Sequence, residues 1–278
     1  KKSEKEKFAG AEYTLTIELF MPDGRAIQGP DSHHDGQIFA KAFNIKFLDK
    51  DEKEKYVWQN TWAITSRMIG VLIAVHGDDK GLVLPPKIAP HKVVIIPIVF
   101  KKEEEKVMKK AKELSNKLKK FDVILDDRDY SAGWKFNEWE LKGVPLRIEI
   151  GPKDIKSKSV VLVRRDTNKK EIVKKIKLVK RVGEILDDIQ KNLFEKAKKF
   201  LESNIVKVDN SKDFIKAINN KKIVYAKWCG NVECEDLIKE KGSGVKTLNS
   251  PFKQEKVSGK CAICEKKANE VVYIARDY

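Results

Sequence analysis

The chain has no apolar run longer than eight residues, the two longest being Met68–Val75 and Val93–Phe100. A helix that crosses a bilayer takes about 20, so no membrane span is expected. Residues Lys1–Lys7 lack the apolar stretch of a secretory signal. Cysteine is scarce, four residues in 278, and all four fall in two close pairs near the C-terminus. That usage suits reduced metal ligation better than a secreted disulfide framework and points to the cytoplasm. Acidic residues are outnumbered, 42 Asp and Glu against 58 Lys and Arg, for a net charge of +16. Such an excess favours a polyanionic partner, nucleic acid first; the plainer alternative is a charged surface that serves only solubility. The chain opens on Lys rather than Met, so residues upstream are expected.

At 278 residues the chain exceeds what one core organises, and two or three domains are expected. Tyr13–Phe20 alternates in polarity and is followed by a turn at Pro22–Arg25 centred on Asp23-Gly24, the pattern of an antiparallel hairpin. Leu84–Pro90 holds three prolines, which deny continued helix or strand bonding and place a domain boundary there. Val93–Phe100 is an uninterrupted apolar run, expected of a strand buried on both faces. Val107, Ala111, Leu114 and Leu118 then mark one face of a helix before a second strand at Phe121–Leu125, so a right-handed parallel crossover follows. Strands at Val144–Ile150 and Val160–Val163 and a helix over 171–201, with Gly183 as a candidate break, complete an α/β unit.

Four residues separate Cys229 from Cys234, two separate Cys261 from Cys264, and 26 lie between the pairs. Two such knuckles supply the four thiolates of a tetrahedral zinc site, with Zn–S near ~2.3 Å and no position left for water. The alternatives at this point are ordinary buried cysteines or a redox pair at Cys261-Ala-Ile-Cys264.

Several longer segments resemble the archaeal and eukaryotic type of prolyl-tRNA synthetase, a class II aminoacyl-tRNA synthetase. They are Glu6–Thr14, Gly24–Gly29, Ser32–His34 with Gly36, Gln37 and Phe39–Lys41, a motif 3 region at Trp62–Pro90, Gly133–Pro145, Arg164–Thr167 and Cys229–Cys234. The resemblance implies an α/β and α+β multidomain protein: 1–91 the motif 3 half of a class II antiparallel catalytic sheet, 92–201 an α/β anticodon-binding domain, and 202–278 a small zinc-binding C-terminal domain.

By the same resemblance Gln28, Asp31, Thr65 and Arg67 occupy ATP-binding positions, with Mg2+ accompanying the nucleotide, and His33 sits at the proline pocket. The Arg67 guanidinium can stack on adenine and contact phosphate; without the resemblance it is a surface arginine ahead of a buried apolar run, Met68–Val75. Glu140, Arg147 and Lys153 match residues that contact anticodon guanines, a carboxylate accepting from the base edge and the cations donating. Trp134 and Trp139 either stack on bases or anchor their loop in the core. Cys229, Cys234, Cys261 and Cys264 would hold structural zinc.

The implied reaction activates proline with ATP to prolyl-adenylate and transfers it to tRNA-Pro, in an enzyme that works as a homodimer when whole. Two features depart from the family pattern. Pro30-Asp31 stands where Gly-Thr is usual, and Asp35 where Leu is expected. Motif 1 and the arginine-bearing motif 2 loop lie upstream of the matching region and are not in this sequence. The alternatives are a non-catalytic, synthetase-derived tRNA-binding protein or, more plainly, a zinc-stabilised scaffold.

Overall fold

The computed structural model describes residues 1–100 and 102–278. They fold as two compact units, Lys1–Val71 with Phe200–Tyr278, and Leu72–Lys199.

The N-terminal segment runs β1 (Tyr13–Phe20), β2 (Ala26–Gly36), α1 (Ile38–Ala42), β3 (Lys46–Leu48), β4 (Glu54–Tyr56), β5 (Gln59–Ala63) and α2 (Arg67–His76). β1, β2 and β5 form an antiparallel sheet in that order, and β3 and β4 a separate hairpin. The turn between β1 and β2 forms where Asp23-Gly24 predicts it: Gly24 has φ 86°, the left-handed backbone that glycine adopts most cheaply. Between Thr16 and Glu18 the register slips, so that Gln28 opposes Glu18 while Asp31 opposes Thr16. The extra residue on β2 falls at Gly29-Pro30, and proline has no N–H to give to a ladder. The bulge lets Gln28 and Asp31 side chains meet. The run Met68–Val75 is helical, but it is not buried as its composition suggests: Val71 is its only fully covered residue, and Ile69 and Ile73 are exposed.

The second unit contains β6 (Val93–Pro97), α3 (Glu104–Lys117), β7 (Val123–Leu125), α4 (Ala132–Leu141), β8 (Leu146–Ile150), α5 (Pro152–Lys156), β9 (Ser159–Arg164), β10 (Lys170–Lys174) and most of α6 (Leu178–Ser203). Its sheet has the order β10-β9-β8-β6-β7. β6 is parallel to both β7 and β8, and the other pairs are antiparallel. Val93 and Ile95 pack with α3 and α6 on one face, while Val94 and Ile96 pack with Trp139 of α4 on the other. This two-sided cover is why β6 carries no polar residue. A helix starting at 171 is not what forms. Asp166–Asn168 turns the chain, with Asn168 at φ 56°, and Lys170–Lys174 pairs with β9 instead. The edge strand can leave Ile172 exposed and bury Val173, a period of two rather than 3.6. α6 then runs unbroken through Gly183, which lies beside the Phe121 ring.

The C-terminal segment continues with β11 (Ile205–Val208), α7 (Ser211–Asn219), β12 (Ile223–Trp228), α8 (Val232–Glu240), β13 (Val245–Asn249) and β14 (Glu270–Arg276). Its sheet has the order β11-β12-β14-β13, with β11 and β12 parallel. Val224, Ala226 and Trp228 face the core formed with α7 and α8. Ile223, Leu248 and Ala275 face the other way, onto Phe20 and Ala26 of the N-terminal strands. Lys1 donates to the Ser250 carbonyl at 2.7 Å, and the buried Lys2–Glu18 ion pair, at 2.7 Å, lies at the same seam.

The two units therefore differ from the division 1–91, 92–201 and 202–278. Residues 72–91 belong to the middle unit: Leu82 N–H donates to Leu141 O and Leu84 N–H to Gly143 O. Residues 1–71 join the C-terminal sheet because its second face would otherwise be bare.

Candidate functional site

Three groups of side chains stand out. In the first, β12 ends at Trp228 and delivers Cys229; Gly230, at φ 77°, turns the chain into α8, whose first turn carries Cys234. Cys261 and Cys264 sit on a tight turn closed by Cys261 N–H to Lys266 O at 2.7 Å. All four Sγ atoms lie within 4.8 Å of one another. Cys229 and Cys264 are 3.6 Å apart, and Cys234 and Cys261 3.7 Å. A tetrahedron with ~2.3 Å metal–sulfur bonds has edges of about 3.8 Å, so these spacings suit one thiophilic ion. The thiol pKa of Cys261 is lowered, chiefly by the hydrogen bond from Cys234 and against the effect of burial, with the backbone N–H groups of Cys264 and Ile263 contributing. Cys234 is pushed up in turn. Four free, mostly buried sulfurs without a disulfide fit a soft divalent cation such as zinc.

The second group gathers on the middle unit. Arg147 on β8 donates Nη1 to Glu140 at 3.2 Å and Nε to Glu149 at 3.0 Å, and lies 4.2 Å from the centroid of the Phe136 ring. With Trp139, Val144, Arg164, Arg165 and Asn168, this pair lines one cavity. Lys153 does not join it. That lysine is exposed on α5 and lines a different hollow, with Ile98, Phe100 and Glu103.

Arg165 was legible only as part of a resembling segment, yet it is the strut of this group. It is 4% exposed, donates Nε to the Glu140 carbonyl at 3.0 Å, and grips Asp78 through both Nη atoms at 2.7 and 2.5 Å. Its hydrogen bonds hold the Asp78 carboxyl at about 2. Loop 77–84 is thereby fastened beside Glu140. Gly81 and Gly143, both at positive φ, allow the close approach: a Cβ on Gly81 would meet the Leu141 backbone at 2.7 Å, and one on Gly143 would meet Leu82 at 2.6 Å.

The third group lies on β2. Gln28 Nε2 donates to Asp31 at 2.8 Å, and the Gln28 carbonyl accepts from Arg67 at 3.0 Å. His33 Nε2 is 3.3 Å from the other Asp31 oxygen, and its Nδ1 is 2.9 Å from Thr14 Oγ1. Gln28, Asp31, His33 and Arg67 thus form one chain of contacts. Thr65 stays exposed just ahead of α2. Asp35 is buried and accepts from Thr61 Oγ1 at 2.7 Å, so the unexpected carboxylate is used structurally.

Comparison with known proteins bears on these groups. Residues 92–185 match the family described as anticodon binding domain, and residues 211–278 match prolyl-tRNA synthetase, C-terminal. Over residues 211–278 the chain is similar to the C-terminal region of prolyl-tRNA synthetase. It is similar along its whole length to proteins named proline-tRNA ligase: 48% identical to one from Lachnoclostridium phytofermentans, 47% to one from Natranaerobius thermophilus and 49% to one from Clostridium botulinum. It spans 58% of the length of each, and all three sources are bacteria. The Glu140–Arg147 pair falls inside the anticodon binding domain match, and the four cysteines inside the prolyl-tRNA synthetase C-terminal match. Among the described residues no helix is long and apolar enough to cross a membrane.

Proposed function

We propose that this chain is the motif 3, anticodon-binding and zinc-bearing portion of a proline-tRNA ligase, an aminoacyl-tRNA synthetase that consumes proline, ATP and tRNA-Pro in the cytoplasm and acts as a homodimer when whole. The observation that carries the reading is the pairing of Glu140 with Arg147 in one cavity of the region similar to anticodon-binding domains. The domain division into 1–91, 92–201 and 202–278 goes with this reading. Its alignment with the archaeal and eukaryotic type rests on the C-terminal cysteine domain and the quoted segments, whatever the source.

In this reading Arg67 and Thr65 contact ATP and Gln28 faces the phosphates, while His33 borders the proline. Mg2+ would supply charge neutralisation at the polyphosphate. The proline carboxylate attacks the α-phosphorus in line, the bond to the bridging oxygen breaks, and pyrophosphate leaves. The chain's own residues contribute by positioning and charge rather than by a side-chain nucleophile. One Asp31 oxygen accepts from Gln28, while the other lies 3.3 Å from His33 Nε2 and is buried without a hydrogen bond. Glu140 accepts from a guanine Watson–Crick edge and Arg147 donates to guanine or phosphate, with Lys153 contacting the RNA from its own hollow. Cys229, Cys234, Cys261 and Cys264 hold zinc as a closed structural site.

The test is proline-dependent ATP–pyrophosphate exchange by the whole protein beside the 278-residue chain. Exchange by the whole protein alone is the expected result. Absence of exchange from both, with tRNA binding retained, favours the non-catalytic tRNA-binding alternative, for which Asp31 in place of threonine is the supporting feature.

A further inference from the structure

Trp139 and Trp134 are five residues apart on one helix and live in opposite environments. Trp139 is 6% exposed and donates Nε1 to the covered Asp126 carboxylate at 2.7 Å, so it is the anchor. Trp134 is 44% exposed and Tyr130 is 52% exposed, and their rings stack with centroids 4.1 Å apart. Two large rings left half in water on an otherwise charged surface are not explained by the core beneath them.

The pair is held rigidly. Arg128 lies 5.5 Å from the Tyr130 centroid and 5.3 Å from that of Trp134. Asp126 fixes this guanidinium in a two-point clamp at 2.9 and 2.8 Å, and Glu138 braces it from α4. Ser131 caps the helix through the Trp134 N–H, which sets the ring at the first turn. A preformed aromatic surface loses little freedom on binding a flat ligand. Charge narrows what that ligand is. Arg128 is neutralised by its two carboxylates, and Asp127 and Asp129 are exposed beside it. Phosphate is therefore repelled here, whereas a neutral base is not. Glu140 lies six residues further along α4, a rise of about 9 Å.

We propose that the Tyr130–Trp134 pair is a stacking shelf for an unpaired nucleobase of the RNA whose anticodon engages the Glu140–Arg147 cavity. This rests on the anticodon-binding reading above for the neighbouring cavity. The shelf takes a base by its face and is tolerant of which base it is, while the cavity discriminates.

The experiment measures binding of the full chain to a tRNA-Pro transcript, and to copies carrying one abasic site at each anticodon-loop position, across a salt series. Trp134→Ala is expected to weaken binding about tenfold. The salt slope should not change, because no phosphate contact is lost. Trp134→Phe should restore most of the affinity, and one abasic position should cost wild type the same factor while costing Trp134→Ala nothing further. Unchanged affinity in Trp134→Ala and Tyr130→Ala, or full additivity at every abasic position, overturns the shelf. Failure of the neighbouring reading looks different: Glu140→Gln would then leave discrimination against an altered anticodon unchanged, while the Trp134→Ala loss persisted on either RNA.

Discussion

Asp126 shows how much one side chain organises. Its carboxylate has no solvent exposure, accepts from Arg128 and Trp139, and its backbone carbonyl accepts from the buried Lys135 ammonium. Burial pushes its pKa up, but the hydrogen bonds from Arg128 and Trp139 and the charge of Lys135 outweigh that and hold it at about 2. The folded value is below the unfolded one, so the contribution is present above the unfolded pKa near 4 and is lost as pH falls towards 2. A shift of this size corresponds to about 2 kcal/mol at neutral pH. Asp126→Asn should be less stable than wild type at pH 7 by at least that amount, with the gap closing between pH 4 and pH 2. Urea unfolding over a pH series checks it; a constant gap would remove Asp126 as the source. Asp78 is gripped as firmly by Arg165, but its side chain is 44% exposed and solvent screens most of the benefit.

At the scale of elements, α6 starts later than its periodicity suggests, at Leu178, and runs through the candidate break at Gly183. Leu178, Val182, Ile185, Leu186, Ile189 and Leu193 bury one stripe against the sheet, and that packing carries Gly183 as helix. A Cβ at Gly183 would meet only Phe121, at an ordinary 3.7 Å. Gly183→Ala should therefore stabilise by up to about 1 kcal/mol, raising Tm by roughly 2 °C in calorimetry. A fall in Tm would mean that the Phe121 ring sits tighter than its distance implies. The cysteine turn makes the opposite kind of element, a short loop whose two sulfurs, Cys261 and Cys264, meet those of Cys229 and Cys234. The purified protein is expected to hold one zinc per chain by elemental analysis. Cys261→Ser should abolish that stoichiometry and lower the Tm, and a chelator should do the same to wild type; a metal-free protein of unchanged Tm would remove the structural zinc.

For the whole molecule the dominant quantity is the net charge of +16. If that excess serves RNA, affinity for tRNA-Pro should fall at least about a hundredfold between roughly 50 and 200 mM salt, through release of counterions. A flat salt dependence in filter binding would assign the charge to solubility. The N-terminal strands and the C-terminal sheet also unfold together in this picture, since Phe20 and Ala26 share a core with Ile223, Leu248 and Ala275.

The sequence by itself determined the features that depend on near neighbours. The hairpin at Asp23-Gly24, the parallel β6–α3–β7 crossover and the two cysteine pairs follow from turn chemistry, periodicity and ligand spacing, which act over a few residues. Only the tertiary structure decided the rest. Lys170–Lys174 became a strand because β9 offered an open edge, and the apolar run Met68–Val75 buries Val71 but leaves Ile69 and Ile73 exposed. The sequence separates Asp78 from Arg165 by 87 residues, and no local pattern announces that they clamp the loop beside Glu140. Among the anticodon candidates, distance along the chain could not say that Arg147 meets Glu140 while Lys153 faces another hollow. Propensity and spacing are local energies; partners across a fold are chosen by which surfaces remain to be buried and which charges remain to be paired.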